Sequence, residues 1–265
     1  MKEKAFILAC LTAASYCAAP SAHAWGCKGH QTVALIVEKH LTSEARQLVD
    51  KLFRENPIEP KLKRGCGNTS PDLMVDASTW PDDVRNERHN GPWHYIDIPR
   101  GEHKGSLDEY CGADGCVTRA IEAQRAILKD KSVDLVKRAE ALRYLIHFVG
   151  DMHQPLHVIN NGDNGGNCVP VKYLHHDPLL NPLHPEREDY SPNLHQIWDT
   201  EIIERDMEVS NPHRYADELD EDSAQRVGRG KPQAFTWRIG RGKSTSERRP
   251  KFTTRSPRKS QSNLM

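Results

Sequence analysis

Two histidine–aspartate pairs with the same spacing dominate the residues that can do chemistry. In this chain of 265 residues, His147 precedes Asp151 by four positions and His195 precedes Asp199 by four. Residues four apart point the same way on a helix, so each pair can offer an imidazole and a carboxylate to one ion. One such pair alone is more often an ordinary polar face or a satisfied buried pair, whereas two pairs together favour a metal site.

A further histidine follows the first pair after a proline. Pro155 should end or kink the helix, which lets His157 swing to a different position. Imidazole and carboxylate ligands suit zinc, and the imidazoles argue against calcium and magnesium. Zinc with an open coordination position implies hydrolysis, because the ion lowers the pKa of bound water to about 7 and stabilises charge on a phosphoryl oxygen.

Helices must position these side chains, because helical periodicity dominates the sequence. The clearest amphipathic segment covers residues 132–149. Strand-like alternation is scarce, and residues 93–98 are its best candidate. Residues 160–192 are rich in Gly, Asn and Pro, which predicts long surface loops, and residues 195–207 return to a helix. The predicted class is all-α (mainly α), in a single domain.

Apolar residues at helical spacing predict which helix faces are buried. Val33 and Val37 belong to one stripe, and Leu48 and Leu52 continue it after a Thr-Ser helix start signal. The longest segment places Leu135, Ala139, Leu142, Ile146 and Val149 on one stripe. We therefore expect these side chains to face the core.

The first 24 residues have the pattern of a secretory signal peptide. Two lysines precede a mostly apolar run over residues 5–19, and Ala-His-Ala at 22–24 gives the small-x-small pattern that signal peptidase cuts after. A retained N-terminal anchor is the alternative, but the run is shorter than the ~20 apolar residues of a membrane span. The mature chain is predicted to start at Trp25 and to be exported in soluble form.

Five cysteines remain after residue 24. Cys111 and Cys116 can close a small Gly-rich loop by a disulfide in an oxidising compartment. A zinc knuckle is the competing interpretation, but no second cysteine pair with ligand spacing accompanies it, which favours the disulfide. Cys27, Cys66 and Cys168 are an odd set, so at least one of them lacks a partner within the mature chain.

The formal net charge of zero is the sum of a long acidic part and a short basic part of the chain. Residues 25–225 carry 35 Asp and Glu against 23 Lys and Arg, whereas residues 226–265 carry 12 Lys and Arg against one acid. An acidic domain repels nucleic acid unless bound cations offset its charge. The predicted domain covers residues 25–227. Residues 228–265 lack apolar periodicity and form an atypical basic tail, either disordered or produced by an altered reading frame.

Seven short segments resemble the S1/P1 nuclease family, in order along residues 25–203. They read WGCKGH at 25–30, WPD at 80–82, HYID at 94–97, HFVGD at 147–151, QPLH at 154–157, GGN at 165–167 and NLHQIWD at 193–199. The resemblance implies the fold shared by S1/P1 nucleases and zinc phospholipases C. After about Arg226 the pattern of the family is not recognisable.

The resemblance also implies three zinc ions (Zn²⁺) with nine ligand residues. The first ion takes Asp82, His94, His147 and Asp151. The second takes the α-amino nitrogen and carbonyl oxygen of Trp25, then His30, with Asp151 bridging to the first. The third takes His157, His195 and Asp199. The first two ions then activate the attacking water and the third stabilises the leaving 3′ oxygen, which gives 5′-phosphate products.

Residues around these ligands are assigned roles by the same resemblance. Asp151 and Arg85 are catalytic, since a guanidinium stabilises developing phosphate charge, although a solvated helix arginine is the alternative for Arg85. Tyr95 is the stacking aromatic, with core packing as its alternative, and Asp97 is the carboxylate that recognises the base. Stacking tolerates any base, which suits weak selectivity. Asn167 is a further contact to the nucleotide.

Several histidines are excluded from the predicted site. His153 lies six positions from His147, which turns it off the metal-facing side of a helix. His175, His176 and His184 lie in a Pro-rich loop and are expected to be solvated.

The sequence thus predicts a secreted or periplasmic zinc-dependent endonuclease with 3′-nucleotidase activity. Its substrates are single-stranded DNA, single-stranded RNA and 3′-nucleotides, and it is a monomer without stable membrane association. A zinc phospholipase C-like lipase is one alternative, although the Tyr95 and Asp97 pair argues for a nucleobase. An inactive, zinc-binding exported protein is another, because of the abnormal tail.

Overall fold

The computed structural model of the protein describes residues 25–67, 70–102, 105–182, 190–206 and 211–228. Within these residues the fold is mainly α-helical, with one pair of two-residue strands, which confirms the predicted class. The predicted signal peptide, nearly all of the predicted basic tail and His184 lie outside the described residues.

The first part of the chain forms helices, with a long connection at residues 56–72 between the second and the third of them. These helices are α1 (Cys27–Lys39), α2 (Ser43–Glu55), α3 (Leu73–Ser78) and α4 (Trp80–Val84). Two 3₁₀ turns, Gly91–His94 and Leu107–Tyr110, lead to the helices α5 (Val117–Lys129) and α6 (Leu135–His153).

The second part contains more irregular structure, as the Gly, Asn and Pro content predicts. A 3₁₀ turn, Pro155–His157, follows α6 directly. Strands β1 (Leu179–Leu180) and β2 (Tyr190–Ser191) pair antiparallel. The remaining helices are α7 (Leu194–Gln196), a π-helical turn (Ile197–Glu201), α8 (Ile202–Asp206) and α9 (Pro212–Gly228).

The longest of these helices, α6, has clear signals at both ends. The side chain of Asp134 accepts a hydrogen bond from the backbone nitrogen of Lys137, so the helix begins at Leu135 rather than at the predicted residue 132. It ends at His153, two residues before Pro155, as the proline predicts.

Two apolar clusters hold α6 in place. The first cluster has Tyr144 and Phe148 of α6 packed with Trp80, Val84, Ile96, Cys116, Val117 and Ala120. The second has Ala139 of α6 packed with Ala34, Val49, Leu52, Phe53, Met74 and Ala77. Helices α1 to α5 all contact α6. The helix that carries the first His–Asp pair is therefore fixed on several sides.

The predicted stripes face the core in part: Ala139 belongs to the second cluster, and Leu135, Leu142 and Ile146 pack against it, but three members of the stripes are exposed. Val37 and Val149 are each 40 % exposed, whereas Ala34 is completely buried. On α2 the prediction holds for Leu52, which is completely buried, but Leu48 is 38 % exposed. On α1 the predicted stripe is a run of steps of four residues, each of which rotates the side chain by about 40° around the helix axis, so the run drifts off the core face.

The strand predicted at residues 93–98 is wrong. Trp93 and His94 belong to the 3₁₀ turn, and the chain becomes extended only at Tyr95. The backbone nitrogen of Ile96 donates to the carbonyl of His157, and the carbonyl of Tyr95 accepts from Val117. The partners of these two bonds lie in a 3₁₀ turn and at the start of α5, not in a neighbouring strand, so this segment is not part of a β-sheet.

Disulfides tie two loops of the described chain. Cys111 and Cys116 are bonded, as predicted, and Cys27 is bonded to Cys66. The pairing of Cys168 lies outside the described residues. Disulfides persist in oxidising compartments, which fits a protein exported from the cytoplasm. None of the helices in the described residues has the length and hydropathy that a membrane span requires.

Leu52 and Leu48 provide a test of this core. Replacing Leu52 with Ala removes a completely buried side chain and should lower the free energy of unfolding by about 2–5 kcal/mol. Leu48→Ala on the same helix should cost no more than about 1 kcal/mol. Urea unfolding at a fixed free zinc concentration measures both values, because bound ligand adds to apparent stability. Equal losses in the two variants would contradict the assigned face of α2.

Candidate metal centre

The first predicted pair meets on the buried face of α6. His147 and Asp151 are both fully buried, and His147 Nε2 lies 3.3 Å from Asp151 Oδ2. The second ring nitrogen, His147 Nδ1, forms a hydrogen bond of 2.7 Å to the backbone oxygen of Ser78 at the end of α3. This bond fixes the direction in which the imidazole points.

Asp82 and His94 reach the same point from other elements. Asp82 lies on α4, and His94 ends the 3₁₀ turn before the extended segment. His94 Nδ1 lies 3.0 Å from His147 Nε2 and 3.1 Å from Asp151 Oδ2. Asp82 Oδ1 lies 3.6 Å from each of these two ring nitrogens. One atom from each of Asp82, His94 and His147 can therefore contact a common ion.

His30 and Trp25 approach α6 where it lacks a side chain. A Cβ atom at Gly150 would lie 3.2 Å from His30 Nδ1, so a glycine permits the close approach. His30 Nε2 lies 3.3 Å from Asp151 Oδ1, and Trp25 Nε1 donates a hydrogen bond of 2.8 Å to the carbonyl of Gly150. The first residue of the predicted mature chain thus lies beside the contact between His30 and Asp151.

The second predicted pair joins His157 in a separate group. His195 Nε2 lies 3.1 Å from Asp199 Oδ2, and His157 Nε2 lies 3.9 Å from Asp199 Oδ1. Asp199 lies in the π-helical turn that continues α7, and its carbonyl accepts a hydrogen bond of 2.7 Å from the nitrogen of Gly26. The start of the predicted mature chain is therefore linked to this group as well.

Backbone carbonyls determine the tautomers of three imidazoles. Like His147, both His157 and His195 direct Nδ1 at a carbonyl oxygen, that of His94 at 2.9 Å and that of Gly165 at 2.7 Å. A carbonyl oxygen only accepts, so Nδ1 carries the proton and Nε2 has a lone pair. Metal-binding histidines usually have this arrangement, with the distal nitrogen bonded to a carbonyl or carboxylate.

The chemistry of the third group fits a cation. His157 Nε2 and His195 Nε2 lie only 3.0 Å apart, so two lone pairs face each other unless a proton or a metal ion lies between them. Nitrogen and carboxylate oxygen atoms are ligands that zinc accepts. The residues present therefore fit a divalent metal of this type, and the two groups around Asp151 offer the same kinds of atom.

Burial opposes charge throughout these groups. It raises the pKa of Asp151 well above its usual value, and it lowers the pKa of His94 and of His157 well below theirs. Burial also lowers the pKa of His195, but the hydrogen bond and charge of Asp199 outweigh it and raise the pKa overall. A metal ion binding here must displace protons, because ligands bind in their deprotonated form.

Comparison with protein families decides the class of this chain. Residues 25–244 match the family model described as S1/P1 Nuclease. The chain belongs to the S1/P1 nuclease family. The resemblance inferred from the short segments is thereby confirmed, and the match continues past Arg226, beyond which no further segment was recognisable.

Curated relatives carry names that agree with this family. Endonuclease 4 of Arabidopsis thaliana is 33 % identical over 196 residues, covering 68 % of this chain and 56 % of the relative. Nuclease S1 of Aspergillus oryzae is 28 % identical over 220 residues, covering 80 % and 67 %. Nuclease P1 of Penicillium citrinum is 30 % identical over 183 residues, covering 66 % and 57 %. The chain spans 56 to 67 % of the length of these relatives.

Arg85 lies close enough to the S1/P1-type centre to act on it electrostatically. It directly follows α4, is half-buried, and passes over Gly91, where a Cβ atom would lie 3.4 Å from Arg85 Nε. Burial has the largest effect on both neighbouring groups: it lowers the pKa of His94, to which the charge of Arg85 adds, and it raises the pKa of Asp151, which the charge of Arg85 partly offsets. The guanidinium therefore adds positive potential at these two groups.

Tyr95 and Asp97 alternate with a buried residue next to this centre. Ile96 is 2 % exposed and packs in the first apolar cluster, whereas Tyr95 is 37 % exposed and Asp97 is exposed. The extended backbone after His94 produces this alternation, because successive side chains point to opposite faces. An aromatic ring and a carboxylate are thus presented together next to His94.

Asn167 lies inside a loop that supports the third group. It is 7 % exposed, and its amide donates a hydrogen bond of 2.8 Å to the carbonyl of Asn164. Gly165, in the same loop, has a φ of +59° and supplies the carbonyl that orients His195. The observed contact of Asn167 is therefore with the loop, and its contact with a nucleotide stays a prediction.

Some positioning groups were missed by the sequence analysis. Gln154 is completely buried, and its amide donates to Asp199 Oδ1 while its oxygen accepts from the nitrogen of Leu156. Its place beside Pro155 in the QPLH segment was the available signal. The carbonyls of Ser78 and Gly165 give no such signal, because every residue has one.

The excluded histidines lie away from the three groups. His153 is exposed, and its Nδ1 lies 2.6 Å from the carbonyl of Val149 on the same helix. His175 and His176 are exposed. The exclusion of these three residues from the predicted site agrees with their positions.

Gly165 and Gly162 allow the loop to be tested. A Cβ atom at Gly165 would lie 2.5 Å from the carbonyl of Leu156, whereas at Gly162, with a φ of +81°, it would meet nothing within 4 Å. Alanine at either position should destabilise the protein by about 1–2 kcal/mol because of the left-handed backbone. Only Gly165→Ala should displace the carbonyl that orients His195.

We therefore expect Gly165→Ala to retain about one zinc ion fewer per molecule than Gly162→Ala. Metal analysis of the purified variants after dialysis measures this difference. Equal zinc content would show that the loop does not control the third group.

Proposed function

We propose that this protein is a zinc-dependent phosphodiesterase that cleaves single-stranded DNA and RNA to 5′-phosphate products and removes the phosphate from 3′-nucleotides. The observation that carries the proposal is the convergence of five buried histidines and three aspartates on three adjoining groups, with ring nitrogens held for a cation by backbone carbonyls. Membership of the S1/P1 nuclease family supports the same activity.

We assign the zinc ligands as the resemblance implies. One ion would be held by Asp82, His94, His147 and Asp151. A second would be held by Trp25, His30 and Asp151, and a third by His157, His195 and Asp199. Zinc bound in such sites supplies an activated water at neutral pH and stabilises negative charge on phosphoryl oxygens.

The protein side chains orient the substrate around these ions. Asp151 lies between the first two groups and holds them together, and the guanidinium of Arg85 stabilises the developing charge of the phosphate. Tyr95 stacks on a base, and the carboxylate of Asp97 accepts hydrogen bonds from it. A paired base inside a duplex cannot present its face to a side chain, so this mode of binding favours single strands.

We also propose the cellular setting. The disulfides fit an oxidising compartment, and removal of residues 1–24 would expose the amino group of Trp25. We propose cleavage after Ala24, secretion or release into a periplasm, and action as a monomer without stable membrane association.

His147 and His153 give a matched pair for testing the activity. His147→Ala should lose zinc and reduce cleavage of a single-stranded oligonucleotide by more than roughly 100-fold, as loss of a transition-state contact does. His153→Ala, on the exposed side of the same helix, should behave like the unmodified protein. A metal chelator should abolish activity in all forms, and added zinc should restore it.

The same assay separates the alternatives. Single-stranded oligonucleotide, duplex and phosphatidylcholine vesicles are compared as substrates of the mature, zinc-loaded protein. Preferential hydrolysis of the lipid would support the lipase, and zinc-loaded protein that cuts none of them would support the inactive binding protein.

The amino terminus offers a separate prediction. An α-amino group can bind zinc only when no residue precedes it, so one extra residue before Trp25 should remove about one zinc ion per molecule and most of the activity. Protease removal of that residue should restore both, which controls for damage to the fold. Full activity with the residue still attached would exclude this role for Trp25.

A further inference from the structure

Asn160 joins the segment that presents Asp97 to the loop that supports His195. Its Nδ2 donates a hydrogen bond of 2.9 Å to Asp97 Oδ1, and its Oδ1 accepts one of 2.9 Å from the nitrogen of Gly162. Its own backbone nitrogen donates to the carbonyl of Ile98 at 3.1 Å. The two halves of one amide therefore serve different purposes: the oxygen shapes the loop, and the nitrogen holds the carboxylate.

Asp97 borders a small cleft. The cleft has a volume of about 150 Å³, and Tyr95 and Asp97 line one side of it. The disulfide-closed loop 111–116 lines the other side, with Asp114 among its residues. Trp93 Nε1 donates a hydrogen bond of 3.1 Å to the carbonyl of Asp114, which fixes this loop against the segment. The cleft thus has defined walls on both sides.

An exposed carboxylate next to this cleft needs to be oriented before it can select a ligand. Asp97 is exposed, and an exposed side chain exchanges between rotamers unless a contact restrains it. Among the described residues, Asn160 is the one that donates a hydrogen bond to the side chain of Asp97. With Oδ1 held in this way, Oδ2 is the oxygen left to accept a hydrogen bond from a ligand.

We propose that Asn160 is a positioning residue that fixes the orientation of Asp97 and thereby sets the base preference of the enzyme. This inference rests on the proposed function. An ionised carboxylate only accepts hydrogen bonds. The oriented Oδ2 therefore favours bases with an exocyclic amino group, as in adenine, cytosine and guanine, over uracil and thymine, whose one donor, N3–H, lies between two carbonyl oxygens that repel a carboxylate.

Asn160→Asp separates this role from a structural one. The new side chain keeps an oxygen that can accept from the nitrogen of Gly162, so the loop bond is preserved. It replaces the amide donor with a second carboxylate oxygen, which repels Asp97. Asn161→Asp is the matched control: it adds the same charge one residue away and keeps the acceptor that bonds the nitrogen of Arg100 at 2.8 Å.

The primary measurement compares 3′-AMP with 3′-UMP as substrates of the zinc-loaded variants. We expect the unmodified protein to prefer 3′-AMP, and Asn160→Asp to lose about tenfold in kcat/KM for 3′-AMP, mainly through KM, with little change for 3′-UMP. Asn161→Asp should change both substrates equally. Zinc content, measured in parallel, should be the same in all three proteins.

A double-mutant cycle completes the test. If Asn160 acts through Asp97, Asn160→Asp should have no further effect on the 3′-AMP to 3′-UMP ratio once Asp97→Ala is present. An unchanged ratio in Asn160→Asp, or an equal loss for both substrates, would overturn the proposal. Either result would leave the proposed function intact, because the unmodified protein would still hydrolyse 3′-nucleotides.

Binding measurements keep the inference testable if the proposed function itself fails. Calorimetric titration with 5′-AMP and 5′-UMP requires no turnover. A protein that hydrolyses neither 3′-nucleotide would refute the proposed activity. A preference for 5′-AMP that Asn160→Asp removes would still support the positioning role, and the absence of any preference would overturn it.

Discussion

The fully buried carboxylate of Asp151 is the constraint on which the rest of this structure depends. One oxygen faces His30 at 3.3 Å, and the other faces His94 at 3.1 Å and His147 at 3.3 Å. Burying an ionised carboxylate costs several kcal/mol unless other charges compensate it. A proton or cations must therefore accompany Asp151. The two apolar clusters around α6 supply the packing that keeps this unfavourable group in place.

Regular helices and irregular segments contribute differently to the centre. Helix α6 supplies a rigid pair of side chains, but His94 and His157 come from 3₁₀ turns, and the carbonyl that orients His195 comes from a left-handed glycine. These irregular segments can also contribute backbone carbonyls, because such carbonyls are not all used in a helix ladder. The carbonyl of His94, for example, orients His157, so the first group helps to build the third.

The contribution of the regular helix was predictable from the sequence, and that of the irregular segments was less so. The spacing of His147 and Asp151 and the break at Pro155 are encoded in residue types, and both predictions hold. Strand-like alternation at residues 93–98 was misleading, because the burial of Ile96 between two exposed side chains needs only an extended backbone and no sheet. The roles of Ser78 and Gly165 were not predictable, since a carbonyl acquires its function from the tertiary contact alone.

The acidic charge of the domain has to be reconciled with a substrate that is itself negatively charged. Residues 25–225 have 12 more acidic than basic side chains, and such a surface repels a phosphate backbone. Three divalent ions would supply six positive charges at one place, and Arg85 lies beside them, so on the proposed function the cations make the approach of nucleic acid possible as well as the chemistry. The acidic composition, which taken alone argues against a nucleic-acid enzyme, is then compatible with one whose attraction for phosphate is confined to its metal centre.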